Sequence, residues 1–511
     1  MKAVMIQGTG SHVGKSVTVA AICRILYQDG YRVCPFKSQN MALNSFVTAT
    51  GGEMGRAQVM QAEACGLQPE VFMNPVLIKP VKDTAAQVIF MGRVVGNMSA
   101  GQYDNYKQEF MPRIKQIIGD ISSRFDYLVI EGAGSPAEIN LLKNDIVNMA
   151  TAQAADAPVI LVADIDKGGV FASFYGTVKI MPAKWQKYFK GLLINKFRGD
   201  KKLLDPGIKW IVEKLKLPMV GTIPFFTNIL LDEEDSVNLE KQQIKNSSRN
   251  ARFRVAIIYL PHISNFTDFN FLDTEQDIEV SYIKTRKQLK ETSPHLIILP
   301  GSKSTISDLE YLKECGLAGD ITQAYRKGAS VIGICGGYQM LGSTISDPYG
   351  VETKAGSIGG LGLLDIETDF LPEKYTSQVQ FKLNADALGT EGFSEYFTGY
   401  EIHMGTTRVK GLANPFYVKT ESMDKREGCI KVNREKGNMV MGTYIHGLFD
   451  NHRLRNCLLE YLAGLAKVNL NLEFNQESSQ VFKQKQYDKL ADLFRGNMDM
   501  ETFYKILNAG L

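Results

Sequence analysis

No stretch of about 18 consecutive apolar residues occurs in this chain, so a membrane-spanning helix is not expected. Cysteine is sparse and unpatterned: seven residues, at 23, 34, 65, 315, 335, 429 and 457, with no CxxC pair. Such a set fits a reducing cytosol and offers no zinc site, and the expected location is the cytoplasm. Charge of one sign is missing too. The 58 Lys and Arg against 55 Asp and Glu leave +3, which gives no reason to expect a nucleic-acid partner. Internal repeats are absent, and a cleaved leader is not expected, because the strand-like Lys2–Gln7 runs straight into a glycine-rich loop. What remains is an ordinary globular composition, 44% hydrophobic, over 511 residues, enough for two or three domains each with its own core.

Short Val/Ile/Leu-rich runs alternate with helical stretches through residues 1–231: Ala3–Ile6, Arg32–Phe36, Tyr127–Ile130, Val159–Val162, Leu192–Ile194 and Met219–Thr222. This is the pattern of a parallel sheet covered on both faces, with ligands at the carboxyl ends of its strands. Residues 232–251 turn polar (Asp-Glu-Glu-Asp, then Lys-Gln-Gln-Ile-Lys-Asn-Ser-Ser-Arg-Asn) and read as a linker. A second alternating series, Arg254–Tyr259, Leu296–Leu299, Val331–Ile334 and Met439–Tyr444, predicts a second α/β domain over 252–455. Residues 456–511 have helical apolar spacing and are expected to pack as a helical extension on that second domain.

The first glycine-rich loop runs Gly8-Thr9-Gly10-Ser11-His12-Val13-Gly14-Lys15-Ser16. Gly8 lies one residue further from Gly14 than the G-x4-G-K-[ST] spacing allows, and Thr9 holds the strict first position. The local physics is unaffected. A strand ends, small residues turn the chain, and a helix opens at Lys15-Ser16, so backbone N–H groups can surround phosphate oxygens. Lys15 would neutralise terminal phosphates and Ser16 would ligand Mg²⁺. A plain glycine-rich turn is the alternative, which the Gly-Lys-Ser directly after a strand disfavours. Glu131, at the end of Tyr127–Ile130, is the candidate second metal ligand, and Glu53 in Gly51-Gly52-Glu53 is another. Asp164 and Asp166 follow a buried-type strand and could hold either the loop or the metal. A partitioning ATPase of the deviant-Walker type would carry lysine where this chain has Gly10, which disfavours that class.

The other informative loop is Gly333-Ile334-Cys335-Gly336-Gly337. A cysteine on a tight strand-to-helix turn is exposed to substrate, and the helix N-terminus favours its thiolate. Gly336 N–H could form half of an oxyanion hole, with the Pro300-Gly301-Ser302 turn supplying the rest through Gly301. Five of the other six cysteines lie in apolar runs and read as small core residues. The thiol needs a base. His446, in Gly442-Thr443-Tyr444-Ile445-His446-Gly447, is preferred, with His403 as competitor. Position 448 is Leu, where many glutamine-hydrolysing domains have Glu, so a Cys–His dyad is expected.

With these residues in hand, the chain closely resembles the cobyric acid synthase family, almost end to end. The likeness includes Pro35-Phe36-Lys37-Ser38-Gln39-Asn40-Met41, Met73–Leu77, Glu131–Asn140, Asp164–Val170, Asn195–Asp200, Ile263-Ser264-Asn265-Phe266-Thr267-Asp268-Phe269, Gly333–Gly342, Tyr400–His403 and Gly442–Gly447. The first half resembles dethiobiotin synthetase, lengthened phosphate loop included. The second resembles class I glutamine amidotransferases of the cobyrinate-synthase type, which also lack the glutamate after histidine. The resemblance implies an α/β fold of two parallel-sheet domains and a glutamine-hydrolysing ligase. Cys335 and His446 would release ammonia from glutamine. ATP and Mg²⁺ held by Gly8, Thr9, Gly14, Lys15, Ser16, Glu53 and Glu131 would activate corrinoid carboxylates as carboxyl phosphates. Glu53 gains weight here because it matches a magnesium aspartate of the dethiobiotin-synthetase pattern. The acceptor would be adenosylcobyrinic acid a,c-diamide, amidated at its b, d, e and g propionates, with Lys37, Gln39, Asn40 and Asn44 on the substrate side. The nearest rival is an a,c-diamide synthase, whose Gly-Pro-Asp is replaced here by Ser38-Gln39-Asn40. A P-loop regulator with a degenerate glutamine-binding module is a rival of another class, disfavoured by the intact Cys335 and His446.

Overall fold

A computed structural model describes residues 1–82, 85–232, 251–275, 277–353, 356–388, 395–421, 423–470, 472 and 478–511. The expected linker, 232–251, lies outside these except for its two ends. The chain divides into two compact units: Met1–Ala42, Glu53–Asp232 and Gln480–Leu511 form one, and Leu43–Gly52 with Glu233–Ser479 the other.

The first unit is built on a six-stranded parallel sheet of β1 (Lys2–Gly8), β2 (Val33–Phe36), β3 (Tyr127–Glu131), β4 (Val159–Asp164), β5 (Phe189–Phe197) and β6 (Met219–Pro224), in the order β6-β5-β4-β1-β3-β2. Every residue of β2, β3 and β4 is buried, which is why these segments read as unbroken apolar runs. The order doubles back at β1, so the crevice beyond its carboxyl end is a topological switch point, and the loop after Gly8 falls there. Helix α1 (Lys15–Gln28) leaves that loop. Four short strands between 39 and 99 form a second, mixed sheet that the periodicity did not disclose.

The C-terminal tail corrects the sequence reading. Helices Ser479–Arg495 and Met500–Ala509 form, but Gln480–Leu511 belongs to the first unit. Tyr487, Leu490, Phe494, Phe503 and Leu507 share a core with Val4, Ile22 and Leu26, while Arg24 bonds Asp488 and Gln484. Helical spacing specifies an apolar face but not the surface that covers it. Asp232, expected to open the linker, is a partly buried partner of Arg56 at 2.9 Å.

In the second unit, β7 (Phe253–Ile258), β8 (Ile278–Ile283), β9 (Leu296–Leu299), β10 (Ser330–Ile334), β11 (Cys429–Asn433) and β12 (Asn438–Thr443) run in the order β8-β7-β9-β10-β12-β11. All are parallel except the β11 edge. Beside it stands a seven-stranded, largely antiparallel sheet, dominated by Ile366–Leu383 and Phe397–Val409, which the reading of two parallel-sheet domains did not include. The two-residue strand Ile445–His446 joins it against Tyr400 and Glu401. Among the described residues no helix is long and apolar enough to cross a membrane.

Candidate active sites

The phosphate-type loop owes its shape to glycine at one position in particular. Gly14 caps α1 at φ 99°, a conformation L side chains avoid, and a Cβ there would collide with the Asn195 amide, which itself donates to Val13 O at 2.9 Å. Lys15 Nζ donates to the carbonyls of Gly10 (2.8 Å) and Gly134 (3.0 Å). Lys196 Nζ bridges Asp164 (2.8 Å) and His12 O (2.7 Å), so Asp164 braces the loop. Asp166 pairs with Arg198 at 3.5 Å on the exposed side.

Next to the loop, Ser16 Oγ donates to Glu131 Oε1 at 2.9 Å, and Lys37 Nζ reaches the same oxygen at 2.7 Å. Gln61 and Gln58 donate to Oε2 at 2.5 and 3.1 Å. Burial alone would raise the Glu131 pKa, but the Lys37 charge and these bonds hold its carboxyl below the usual range. Glu53 is buried as well and is held by Lys79 Nζ at 2.6 Å. Among the described residues no three His, Cys, Asp or Glu side chains converge on a metal site. A metal here would take Ser16 and Glu131 from the protein and its remaining ligands from phosphate and water. That hard-oxygen set fits Mg²⁺, which retains waters and prefers oxygen.

In the second unit the chain turns sharply after β10. Cys335 sits at φ 53°, ψ −110°, a strained conformation for a non-glycine residue, and helix α2 (Gly336–Met340) follows at once. Its N–H donates to Thr443 O at 2.8 Å and its thiol to Ile402 O at 3.2 Å. Gly336 opens the helix, where backbone N–H groups have no partner one turn earlier. A Cβ on Gly336 would lie 2.9 Å from Ser302 N, so only glycine admits this approach. Gly301 is as crowded: its missing Cβ would meet Ser264 O at 3.1 Å and His446 Cε1 at 3.3 Å.

His446 is fully buried, and its Nδ1 meets Asp268 Oδ2 at 2.6 Å. The other Asp268 oxygen accepts from Gly447 N–H at 3.1 Å, which fixes the carboxylate relative to the histidine it serves. Tyr400 lies flat against the imidazole, 5.0 Å between ring centres and 12° from parallel. Burial pulls the imidazole pKa down. The Asp268 charge and hydrogen bond outweigh it, with a contribution from Cys335, and push the pKa up to about 10. Nε2 makes no well-aligned hydrogen bond among the described residues, and the Cys335 side chain is within interaction range of the ring. With Nδ1 committed to a carboxylate and Nε2 available, this imidazole can carry a proton to and from a bound group.

Two carboxylates here escaped sequence reasoning. The expected dyad has a third side chain after all: Asp268, 178 residues before His446 in sequence, takes the place that Leu448 leaves empty. Its only signal was an acid within Asn265–Phe269, a segment without periodicity. Glu427 accepts from Thr443 Oγ1 (2.6 Å) and Tyr444 N–H (2.7 Å), and so braces the strand end that receives the Cys335 N–H. Burial and then the neighbouring Glu401 charge push its carboxyl up to about 8. His403, the competing base, bonds Gly405 O at 2.8 Å and stacks on Tyr444.

Known proteins resemble the chain over both units. The family described as the CobQ/CobB/MinD/ParA nucleotide binding domain matches residues 4–238, and the CobB/CobQ-like glutamine amidotransferase domain matches 254–454. A cobyric acid synthase of Streptococcus sanguinis (strain SK36) is 47% identical over 512 residues, which cover 99% of each chain. Cobyric acid synthases of Clostridium kluyveri and Clostridium botulinum (strain 657) are 47% and 48% identical, again over 99% of each chain. The chain belongs to the cobyric acid synthase family. As a member of that family it is an enzyme, a glutamine amidotransferase of cobalamin biosynthesis that uses glutamine and ATP.

Of the residues singled out from sequence in this cobyric acid synthase relative, the fold brings Ser16, Lys37 and Glu131 into one bonded cluster, while Lys15 bonds the carbonyls of Gly10 and Gly134. Asn40 donates to Gln58 Oε1 (2.9 Å) on its edge, and Gln39 accepts from Tyr103 (2.6 Å). Asn44 is not with them. It is packed with the second unit, where it accepts from Phe266 N–H at 3.3 Å.

Proposed function

We propose that the chain amidates the b, d, e and g propionates of adenosylcobyrinic acid a,c-diamide, with ammonia from glutamine and one ATP per amide. The observation that carries the glutaminase half is the strained Cys335 turn beside a buried His446 whose Nδ1 is held by Asp268. The Cys335 thiolate attacks the glutamine carboxamide carbon, and the carbonyl oxygen takes the charge at Gly301 and Gly336. His446 Nε2 delivers a proton to the departing ammonia, leaving a thioester. Water, deprotonated by His446, then releases glutamate.

In the other half Gly8, Thr9 and Gly14 shape the backbone cradle and Lys15 neutralises the terminal phosphates. Ser16 and Glu131 would hold Mg²⁺, with Glu53 a further candidate ligand; when bound, the ion offsets charge on the transferring phosphoryl group. Lys37, with Gln39 and Asn40 near it, orients a corrinoid carboxylate. Attack by that carboxylate on the γ-phosphorus gives a carboxyl phosphate and ADP, and ammonia then displaces phosphate to leave the amide. Exclusion of water protects the carboxyl phosphate.

Mass spectrometry of corrinoid products formed with ATP and glutamine tests the reading. Four successive one-amide steps on the a,c-diamide are expected. Two steps on cobyrinic acid and none on the diamide would instead select the a,c-diamide synthase, and no amidation at all the regulator.

A further inference from the structure

Leu43–Gly52 falls inside the sequence matched by the nucleotide-binding family, yet it is packed within the second unit. There it reaches the surroundings of His446 by three routes. The first is a reciprocal pair of asparagines. Ser45 N–H donates to Asn265 Oδ1 at 3.1 Å, and Phe266 N–H donates to Asn44 Oδ1 at 3.3 Å. Asn44, Ser45 and Asn265 are all buried. Asn265 occupies the left-handed region (φ 54°), which asparagine tolerates better than most residues. It is the pivot between the strand Ile263–Ser264, which pairs with Gly301, and the turn Phe266–Phe269, which carries Asp268. The two amides therefore clamp the pivot that aims Asp268 at His446.

The second route runs through aromatic rings. Phe46 packs against Tyr400 at 5.5 Å between centres, and Tyr400 is the ring that lies flat on His446. The third is apolar: Val47 clusters with Ile402, whose carbonyl accepts from the Cys335 thiol. Gln378 Nε2 to Val47 O (3.0 Å) and Thr376 Oγ1 to Gly51 O (2.8 Å) anchor the far end of the segment.

We propose that Leu43–Gly52 is a positioning element of the glutaminase centre, with Asn44 setting Asp268 and Phe46 setting the Tyr400 ring, so that the imidazole of His446 is fixed on both its bonded edge and its face. The proposal rests on the assignment of Cys335 and His446 above. None of these residues touches glutamine in this scheme. They act on the rate of the chemical step rather than on binding, where a misplacement of about 1 Å costs up to roughly a hundredfold.

The test uses the full-length chain with Asn44→Ala, Phe46→Ala and Phe46→Tyr. Glutamate release measures the glutaminase, and ammonia-dependent amidation on the same preparations reports folding and the other active site. Expected are a fall in glutaminase kcat on the order of ten- to a hundredfold in both alanine variants, a KM for glutamine within about twofold, and near-complete rescue in Phe46→Tyr, which keeps the ring. An unchanged kcat would reduce the segment to packing. A rise in KM alone would make it a glutamine-binding element, and a parallel loss of ammonia-dependent amidation would return Asn44 to the corrinoid side; each overturns the proposal. Cys335→Ala, run alongside, keeps the two levels apart: if that variant still hydrolysed glutamine, the underlying assignment would fail first.

Discussion

The two sites differ in how many charges they hold and in what those charges meet. In the first unit, cations and anions are stored as pairs before any substrate arrives: Lys37 with Glu131, Lys79 with Glu53, Lys196 with Asp164. Such a site suits a ligand that brings its own charge, because an incoming phosphate or carboxylate can exchange with a partner already present. In the second unit, one acidic side chain, Asp268, faces a buried imidazole, and the cysteine is framed by backbone groups of Thr443, Ile402 and Gly336. With the imidazole protonated this too is a stored pair, but in the proposed mechanism the further charge, on the glutamine carbonyl oxygen, is created during the reaction and must be met by groups that do not move. The first site works by exchanging partners, the second by holding still.

The sharpest way to break the comparison is to remove the central group of each site. Cys335→Ala should lower glutamine-dependent amidation by more than about 10³-fold, while amidation with ammonium salts continues. Lys15→Ala should lower amidation on the order of 10²–10³-fold with either nitrogen source. Paired assays with glutamine and ammonia decide this. If both activities vanish in folded Cys335→Ala, the division between the sites is wrong.

A smaller effect probes the rigidity of the second site. Asp268→Asn should lower glutaminase kcat by roughly 10²-fold and change its pH dependence. The sign follows from His446. Its folded-state pKa is raised to about 10, so the imidazolium persists through neutral pH and is lost as pH rises through about 10. The same linkage means that its contribution to stability is complete below the unfolded value near 6.5 and disappears over that alkaline range. Without the Asp268 charge, burial is opposed only by the smaller Cys335 contribution, so the alkaline limb of the glutaminase profile should move to lower pH. A profile that keeps its wild-type alkaline limb would remove Asp268 from the mechanism.

How much of this was legible in sequence depends on whether a residue's partners are local. The Cys335 turn was readable because its strand, its glycines and its helix are contiguous, and the same holds for Gly14-Lys15-Ser16 after β1. Glu131 was readable as the end of a buried run. Asp268 was not, because its partner is 178 residues away and no spacing rule connects them. The bond that Asn44 makes was hidden for a related reason: its neighbours in sequence, Lys37 to Asn40, belong to the first unit, whereas it accepts from Phe266 N–H in the second. The C-terminal helices were found as helices and assigned to the wrong core, since amphipathic spacing reports that a face is buried and not what covers it.

The smallest effect concerns the side of the phosphate loop remote from Glu131. Asp164 is buried, but its partner Lys196 is about one-third exposed and also bonds His12 O, so the pair steadies the loop from its rim. Asp164→Asn retains an acceptor for Asp166 N–H, which the carboxylate now receives at 2.9 Å, but puts an amide NH2 where Oδ2 accepts from Lys196 and so loses that ion pair. A partly exposed pair of this kind contributes up to about 1 kcal/mol. A rise of roughly two- to fivefold in the KM for ATP is therefore expected, with kcat for amidation within about twofold, measured by ADP release at saturating glutamine. A kcat loss of about 10²-fold would have a different origin. It would mean that Asp164 acts on the transferring phosphoryl group, as a metal ligand rather than a brace, and the first site would then hold one of its charges still, as the second does.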